Sequence, residues 1–268
     1  MEILKAEFVA EFLRLCGDGF RMGWHEYNGG NLSYRIKPEE ARALKDTLLS
    51  YGEWFDIGAD VPSLADEYFL ITGTGSHFRN IELNPEDNIG IIEIDEDGEH
   101  YRVCWGLKKS GAPTSELPAH LLSHEAKKQS TDGKNRVIYH CHTPNLMALT
   151  YVLPPDGKTF TKQLWQSLTE CAVVFPKGLG FINWLLPGST ELAKETASVL
   201  RLRDAAIWAH HGLVTGAESF SGAFGIAHTI EKASAIAVKV ISMGGKKQTI
   251  TEENLKDLSD AFNLNLQL

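Results

Sequence analysis

Predicted strands and helices alternate along almost the whole sequence, and this alternation constrains the fold more than any other feature. The first helix begins near Ile3 and ends near Gly23. Further helices are predicted over residues 38–49, 116–128, 145–152, 158–168, 190–202 and 220–243, and strands over residues 32–36, 68–72, 91–94, 100–105, 136–141, 171–175 and 205–209. Because helices bury the faces of the sheet that such strands form, the pattern predicts an α/β fold with a central β-sheet flanked by helices.

The composition is typical of a globular domain and argues against several kinds of partner. With 268 residues, 43% of them hydrophobic and 23% charged, the chain suits one large domain better than a disordered segment or a repeat array. Acidic residues outnumber basic ones by 35 to 26, so the net charge is −9. This balance provides no basic surface for nucleic acid or anionic lipid. A phosphate substrate must be attracted locally, by backbone amides and a few donors in a cleft.

The sequence carries no signal for export or for membrane insertion. Its four cysteines are scattered without CxxC spacing, which is typical of a reducing compartment. The N-terminus is charged and amphipathic, unlike a signal peptide, and no apolar run approaches the length of a membrane span. These features predict a cytoplasmic protein.

The strongest chemical signal is the pair His140 and His142 at the end of a predicted strand. Because side chains alternate along a strand, both imidazoles face one side, close enough to share a metal ion, and Cys141 faces the other. A pair of this kind alone is more often two polar residues at a strand end, so a third ligand is needed. The predicted strand over residues 205–209 is followed directly by two histidines, His210 and His211, and both are candidates.

Three imidazoles from two strand ends are typical of a catalytic zinc site. Such a site binds the ion through three protein ligands and keeps the fourth coordination position open, whereas structural zinc prefers closed, thiolate-rich ligation. The spacing of the cysteines does not suit a structural site. We therefore expect a catalytic zinc ion.

Three turns rich in small residues are candidates for binding a phosphate group. They span residues 28–31, 73–75 and 111–115, with the sequences Asn-Gly-Gly-Asn, Gly-Thr-Gly and Gly-Ala-Pro-Thr-Ser. Glycine lets a ligand approach the backbone, the polar side chains donate hydrogen bonds, and a helix N-terminus near Ser115 adds partial positive charge. Each turn alone is more often an ordinary turn, but together they can bind one phosphate monoester. None has the lysine of a Walker motif or the glycine spacing of a dinucleotide site.

Two glutamates are candidates for proton transfer. Glu116 stands at the predicted start of a helix, where an acidic side chain also favours the helix dipole. Glu170 directly precedes the predicted apolar strand over residues 171–175, so its charged side chain is expected at the edge of a buried segment. A carboxylate placed there is either paired or tuned for proton transfer, and the sequence leaves both interpretations open.

Several segments, in chain order, resemble the class II aldolase and epimerase family. They are residues 24–32, 71–75, 113–120, 140–142, 163–171 and 242–249. The resemblance implies a single α/β domain over residues 1–268, with a central, mainly antiparallel β-sheet flanked by helices. It also implies a homotetramer with fourfold symmetry and active sites at the subunit interfaces.

The resemblance further implies roles for individual residues. One Zn²⁺ per subunit would be bound by His140, His142 and His211, the last because the family's ligand directly precedes a glycine. Glu116 matches the carboxylate near the metal, and Glu170 matches a catalytic acid/base supplied by the neighbouring subunit. The positions that match the family's phosphate-binding residues are Asn28, Asn31, Thr74, Thr114 and Ser115. Where the family is expected to have serine, this sequence has a threonine at position 74, which still provides a hydroxyl.

The activity implied by the resemblance is the retro-aldol cleavage of a ketose 1-phosphate. The implied substrate is L-rhamnulose 1-phosphate, in the breakdown of L-rhamnose, and the products are dihydroxyacetone phosphate and L-lactaldehyde. Zinc would polarise the ketone and stabilise the enediolate. Glu170 would take the C4 hydroxyl proton, and Glu116 would handle the proton at C3. No lysine lies in the candidate site segments, so nothing indicates a Schiff-base mechanism.

Other functions compete with this one. Another ketose-1-phosphate aldolase, or a sugar-phosphate 4-epimerase of the same family, would use the same bond cleavage. A non-catalytic, protein-binding member of the fold would be expected to have lost its ligands, whereas the three histidines and both glutamates are present here. A zinc hydrolase would need a water-activating carboxylate in an arrangement such as HExxH, which the sequence lacks.

Overall fold

A nine-stranded β-sheet runs through the centre of the molecule in a computed structural model that describes residues 2–267. The strands are β1 (Asn31–Arg35), β2 (Phe55–Asp56), β3 (Tyr68–Thr72), β4 (Ile89–Ile94), β5 (His100–Gly106), β6 (Val137–Cys141), β7 (Gly180–Ile182), β8 (Ala205–Trp208) and β9 (Gly212–Ala217). Their spatial order is β2-β5-β4-β3-β1-β6-β9-β8-β7. Every neighbouring pair is antiparallel except β7 and β8. The expected central, mainly antiparallel sheet is therefore confirmed.

Helices cover the sheet. They are α1 (Glu7–Arg21), α2 (Pro38–Leu44), α3 (Phe78–Ile81), α4 (Pro85–Asn88), α5 (Leu117–Ser130), α6 (Pro144–Leu149), α7 (Gly157–Trp165), α8 (Glu170–Val174), α9 (Thr190–Leu202), α10 (Phe220–Ser242) and α11 (Glu252–Phe262). Two short 3₁₀ helices lie at Ile3–Lys5 and Pro62–Leu64. On one face α10 packs with α1 and α6, and on the other α5 packs against α9.

Alternation along the central strands decides which side chains face each helical layer. Tyr139 and Cys141 of β6 are buried in the core formed with α1 and α10. Ile138, which directly precedes Tyr139 on the strand, faces the opposite side and packs with residues of α5 and α9. His140 shares the orientation of Ile138, because it lies two residues further along the strand. The sheet register pairs Asn31 of β1 with His140, so both side chains are directed toward the start of α5.

The predicted strand over residues 171–175 is wrong, because this segment forms helix α8. The helix buries Cys171 and Ala172 and packs against α7, α10 and α11. It ends at Val174, since the next residue precedes a proline and is disfavoured in the helical conformation. An apolar run this short has no period that separates a strand from a helix, so the surrounding helices determine its conformation.

The remaining differences concern element bounds and short elements. The helix α2 ends at Leu44, short of the predicted end at residue 49. The segment over residues 51–66, predicted as a loop, contains β2 and a 3₁₀ turn. The sequence pattern does not predict β7, β9 or α11. Of these, β9 matters most, because it joins β6 to β8 and so brings the two histidine-bearing segments together.

Within residues 2–267, no helix combines the length and apolar character required to cross a bilayer.

Candidate active site

The three small-residue turns and the histidines line one pocket at an end of the sheet. The turn before β1, the turn after β3 and the end of β6 meet there, because β1 runs antiparallel to both neighbours. The lining residues are Asn28, Gly29, Gly30, Asn31, Gly73, Thr74, Gly75, Thr114, Ser115, Glu116, His140, His142 and His211. With the exception of His210, the individual residues that the sequence indicates for metal and phosphate binding therefore line one cavity.

His140 and His142 approach each other at the end of β6. Their Nε2 atoms are 3.3 Å apart, and Cys141 between them is buried in the opposite layer, as the strand alternation predicts. His140 is almost fully buried, whereas the His142 side chain is 13% exposed on the pocket side. The two imidazoles are thus held by a buried strand and open toward a common point.

His211 completes the cluster, and His210 does not take part in it. The His211 ring centroid lies 4.9 Å from that of His140 and 5.1 Å from that of His142. One nitrogen from each of these three rings lies within 4.8 Å of the others. His210 adopts a left-handed backbone conformation with φ of 60° and turns its ring to Tyr151, 4.3 Å away between centroids. The sequence leaves open whether His210 or His211 joins the cluster. The backbone of the turn between β8 and β9 directs His211 toward it and His210 away from it.

Hydrogen bonds define which nitrogen of each strand histidine carries the proton. His140 Nδ1 donates to the Leu213 carbonyl at 3.1 Å, and His142 Nδ1 donates to Glu26 Oε1 at 2.6 Å. Both Nε2 atoms are then unprotonated in the neutral rings, and their lone pairs face each other at 3.3 Å. Two lone pairs at this distance repel unless they share a cation.

The donor set fits a tetrahedral zinc ion. Two nitrogens, each about 2.0–2.1 Å from one such ion, lie about 3.3–3.4 Å from each other. The separation of the Nε2 atoms of His140 and His142 agrees with that value. The Nδ1 partners of both rings are a backbone carbonyl and a carboxylate, the usual partners of metal-binding histidines.

Burial disfavours the protonation of His140 and His211. Desolvation, with a smaller contribution from the neighbouring histidines, holds the pKa of His140 well below its usual value. The same causes lower the pKa of His211 to about 4. Since metal ions and protons compete for the same lone pairs, neutral imidazoles are ready to bind a metal at neutral pH.

The phosphate-binding candidates lie on turns that are tied to one another. The Thr74 amide donates to the Ala112 carbonyl at 3.1 Å, and the Thr114 amide donates to the Thr72 carbonyl at 2.9 Å. Gly30 has a φ of 77°, and a Cβ there would lie 2.7 Å from the His140 carbonyl oxygen, so the turn needs glycine at this position. The described residues that line the pocket include no lysine or arginine. A phosphate bound there would be held by neutral donors.

Glu116 lies beside the histidine cluster. Its side chain is 8% exposed, and its Oε2 is 3.7 Å from His140 Nε2. Asn31 Nδ2 donates to the same oxygen at 2.7 Å. Burial raises the pKa of Glu116, and the hydrogen bond from Asn31 partly offsets that shift. This carboxyl group is therefore close enough to act on a ligand of the metal.

Glu170 has a different environment from the one that the sequence predicts. It is the first residue of α8 and is exposed, so the prediction of a charge entering buried territory is wrong for the single chain. It does not line the pocket that contains the histidines. The structure of one chain therefore does not bring Glu170 together with Glu116.

The sequence interpretation misses three further polar residues at the site. The first is Glu26, which contacts His142. The second is His25, which is buried against the turn over residues 28–31, with its Nδ1 3.0 Å from the Gly29 carbonyl oxygen. His120 lies on α5 behind Asn31. One signal for His120 was available, because His120 and His124 stand four residues apart and therefore on one face of the predicted helix over residues 116–128.

Comparison with known proteins agrees with this geometry. The family described as Class II Aldolase and Adducin N-terminal domain matches residues 10–238. A rhamnulose-1-phosphate aldolase from Escherichia fergusonii is 42% identical over 260 residues, which cover 97% of this chain and 95% of that protein. A rhamnulose-1-phosphate aldolase from Klebsiella pneumoniae is 41% identical over 262 residues, which cover 98% of this chain and 95% of that protein.

Solved structures show the same fold. A sugar-phosphate aldolase from Thermotoga maritima has a TM-score of 0.76 and 27% identity, over 90% of this chain and 97% of that chain. An L-fuculose 1-phosphate aldolase shares the fold with a TM-score of 0.63 and 20% identity, over 97% of this chain and 98% of that chain. The expected fold and the lyase class are confirmed. The chain therefore belongs to the class II aldolase family.

Proposed function

We propose that the chain is a zinc-dependent aldolase that cleaves L-rhamnulose 1-phosphate into dihydroxyacetone phosphate and L-lactaldehyde. One observation carries the proposal, namely that three clustered imidazoles and Glu116 share a pocket with neutral donors on turns that are hydrogen-bonded to one another. Such a pocket suits a substrate that has a phosphate at one end and an oxygen-rich carbon skeleton at the other. The relatives that are named rhamnulose-1-phosphate aldolases support this choice of sugar.

The phosphate group is proposed to bind at the three turns. Hydroxyl groups and amides, with the backbone amides of the glycine-rich turns, donate hydrogen bonds to its oxygens. The proposed residues are Asn28, Asn31, Thr74, Thr114 and Ser115. Of these, Asn31 borders the phosphate without donating from its side chain, because both hydrogens of its amide group are bonded to Glu116 and Thr114. Neutral donors suit reversible binding, because product release must also separate the phosphate from the site.

The metal is proposed to bind at His140, His142 and His211. Zinc bound there supplies a Lewis acid for the negative charge that develops when a carbon–carbon bond beside a ketone breaks. Burial disfavours the protonation of His140 and His211, and hydrogen bonds orient the rings of His140 and His142. The zinc identity rests on the all-nitrogen donor set, because harder cations such as Mg²⁺ prefer oxygen ligands.

Two carboxylates are proposed to move the protons. Glu170 takes the proton of the C4 hydroxyl, the C3–C4 bond breaks, and C4 becomes the aldehyde carbon of L-lactaldehyde. The electron pair of that bond remains on the three-carbon fragment as an enediolate. Glu116 transfers a proton from solvent to C3, which completes dihydroxyacetone phosphate, and Glu170 returns its proton to solvent.

We also propose an assembly, because Glu170 does not line the histidine pocket of its own chain. Residues 1–268 form one class II aldolase domain, and each domain binds one zinc ion. Four such chains form a homotetramer, in which Glu170 of one subunit reaches the histidine pocket of the next. The proposed location is the cytoplasm.

The reaction products test the proposal. Purified protein loaded with zinc is incubated with L-rhamnulose 1-phosphate, and dihydroxyacetone phosphate is measured by coupled reduction. We expect its release in equal amount to L-lactaldehyde. Release from L-fuculose 1-phosphate but not from the rhamnulose ester would reject the sugar assignment. An inverted ketose phosphate formed from a pentulose phosphate, without free triose phosphate, would instead indicate a 4-epimerase.

A further inference from the structure

We propose that His120, supported by Ser33 and His124, is a positioning residue that orients the Glu116 carboxylate through the side-chain amide of Asn31. The inference deepens the proposed function, since it rests on Glu116 acting in proton transfer. His120, Ser33 and His124 lie behind the pocket between β1 and α5, and they do not line it. They would therefore act on the reaction only through Asn31.

The first link joins Glu116 to Asn31. Asn31 Nδ2 donates one hydrogen to Glu116 Oε2 at 2.7 Å and the other to Thr114 Oγ1 at 3.1 Å. Both amide hydrogens are thereby used inside the protein. In this arrangement the Asn31 side chain holds the carboxylate in place, and the neighbouring turn residues provide the remaining donors for a phosphate.

The second link decides which way the Asn31 amide points. Its Oδ1 accepts a short hydrogen bond from His120 Nε2. A carbonyl oxygen only accepts, so His120 must carry its proton on Nε2. If the amide rotated by half a turn, its oxygen would face the Glu116 carboxylate and its nitrogen would face the His120 N–H. Both contacts would then be repulsive, so His120 selects a single amide orientation.

The third link fixes the tautomer of His120. With a proton on Nε2, His120 Nδ1 must accept, and Ser33 Oγ lies 2.6 Å from it and donates. Ser33 has one hydroxyl hydrogen, so the contact of 2.8 Å between its Oγ and His124 Nε2 requires His124 to donate. The four hydrogen bonds that link His124 to Glu116 then each have one allowed direction. His124 donates to Ser33, Ser33 to His120, His120 to Asn31, and Asn31 to the Glu116 carboxylate.

The secondary structure places this chain without distortion. Asn31 and Ser33 alternate on one face of β1, and His120 and His124 lie one helical turn apart on α5. Ser33, His120 and His124 are each no more than 2% exposed. His124 Nδ1 has no hydrogen-bond partner among the described residues, which costs free energy in a buried site. Apolar side chains would fill the same space without that cost, so stability alone does not account for this polar chain.

Two substitutions at position 120 separate positioning from packing. His120→Leu fills the space but cannot donate to Asn31, whereas His120→Gln has a side-chain amide that can donate near the position of Nε2. We expect His120→Leu to lower kcat about tenfold to hundredfold, since misorientation of a catalytic group has costs of that order. The KM for L-rhamnulose 1-phosphate and the zinc content per chain should stay within about threefold of the wild type. His120→Gln should retain kcat within about threefold.

Thermal unfolding is measured for each variant to establish that it is folded. A second test does not depend on activity, because it measures the tautomer of His120 directly. Nitrogen-15 NMR of histidine-labelled wild-type protein should show His120 protonated on Nε2 at neutral pH. Protonation on Nδ1, or a folded His120→Leu variant with wild-type kcat, would overturn the inference. An equal loss of kcat in both variants would also overturn it. Absence of cleavage by the wild type would reject the proposed function, while the NMR result would still decide the orientation of the chain.

Discussion

The two carboxylates proposed to transfer protons occupy opposite environments in one chain. Glu116 is buried, accepts a hydrogen bond from Asn31 and lies 3.7 Å from a histidine nitrogen. Glu170 is exposed at the start of a short helix and does not line the histidine pocket. A single chain thus builds the proposed metal and phosphate side of the site by itself. The other proton-transfer group has to come from a second copy if it acts in the same reaction.

The difference follows from the elements that carry each group. The histidines and Asn31 sit on adjacent strands whose register fixes them relative to one another. Glu170 is the first residue of α8, a helix of 5 residues. The elements against which α8 mainly packs are the helices α7, α10 and α11. A group on the sheet is preorganised by the fold, whereas a group on the outer helical layer is free to serve an interface.

The largest expected effect is the loss of a cluster histidine. His142→Ala should lower kcat about ten-thousandfold or more, because Lewis-acid stabilisation is worth several kcal/mol and each 1.4 kcal/mol is about tenfold in rate. Zinc content, measured by mass spectrometry after dialysis, should fall well below one ion per chain.

His210→Ala is the matched control for that variant. His210 adjoins the cluster in sequence, but its Nδ1 lies 3.1 Å from the Thr150 hydroxyl and its ring faces Tyr151. We expect near-normal zinc content and kcat. Loss of zinc in His210→Ala together with retention in His211→Ala would reverse the assignment of the third ligand.

A smaller loss is expected at Glu170. Glu170→Gln should lower kcat by about two to four orders of magnitude, the usual range for a general acid/base, and should leave zinc content unchanged. Wild-type turnover in this variant would remove Glu170 from the mechanism and leave Glu116 as the only assigned proton-transfer group.

Mixing two inactive variants tests whether Glu170 acts across an interface. Subunits of Glu170→Gln and His142→Ala are unfolded, combined in equal amounts and refolded together. In a ring of heterologous interfaces, about one quarter of the sites would combine an intact cluster with an intact Glu170. Activity near that fraction is expected. Mixed assemblies as inactive as the separate variants would place Glu170 and the cluster on the same chain or outside the reaction.

The smallest effect concerns the stability of the buried side of the pocket. Burial lowers the pKa of His25 to about 3, below the value of about 6.5 in an unfolded chain. Between these values the unfolded state binds the proton more readily, so the free energy of unfolding falls as the pH decreases from about 6.5 toward 3. The contribution is at most about 1.4 kcal/mol per pH unit.

His25→Gln should make that pH dependence shallower, as measured by urea unfolding at several pH values between 4 and 7. His228→Gln is the control, because His228 is exposed on α10. An unchanged slope in His25→Gln would show that His25 already takes up a proton in the folded state.

Local patterns predict much of the sheet and the metal side of the site. The strand over Tyr68–Thr72 and the helix over Thr190–Leu202 have the predicted bounds, since periodicity and turn residues mark both ends. The histidines are predictable for the same reason, because strand alternation alone places His140 and His142 on one side.

Features that depend on tertiary contacts are not predictable in this way. The choice of His211 depends on the left-handed backbone at His210, and the conformation of residues 171–175 depends on the helices around α8. The His120 chain requires the packing of α5 on β1, which no single segment encodes. Glu170 is a candidate from the sequence and takes its role from the resemblance to the family, but its exposure becomes visible only in the folded chain.

The most direct test of the account is a metal titration of stripped protein. Zinc is removed with a chelator, the protein is dialysed, and zinc is returned stepwise while dihydroxyacetone phosphate release from L-rhamnulose 1-phosphate is followed. We expect no turnover without metal and a linear recovery that ends at about one ion per chain, as three-ligand catalytic zinc sites require. Full turnover in the stripped protein would contradict the claim that the histidine cluster binds the ion on which cleavage depends.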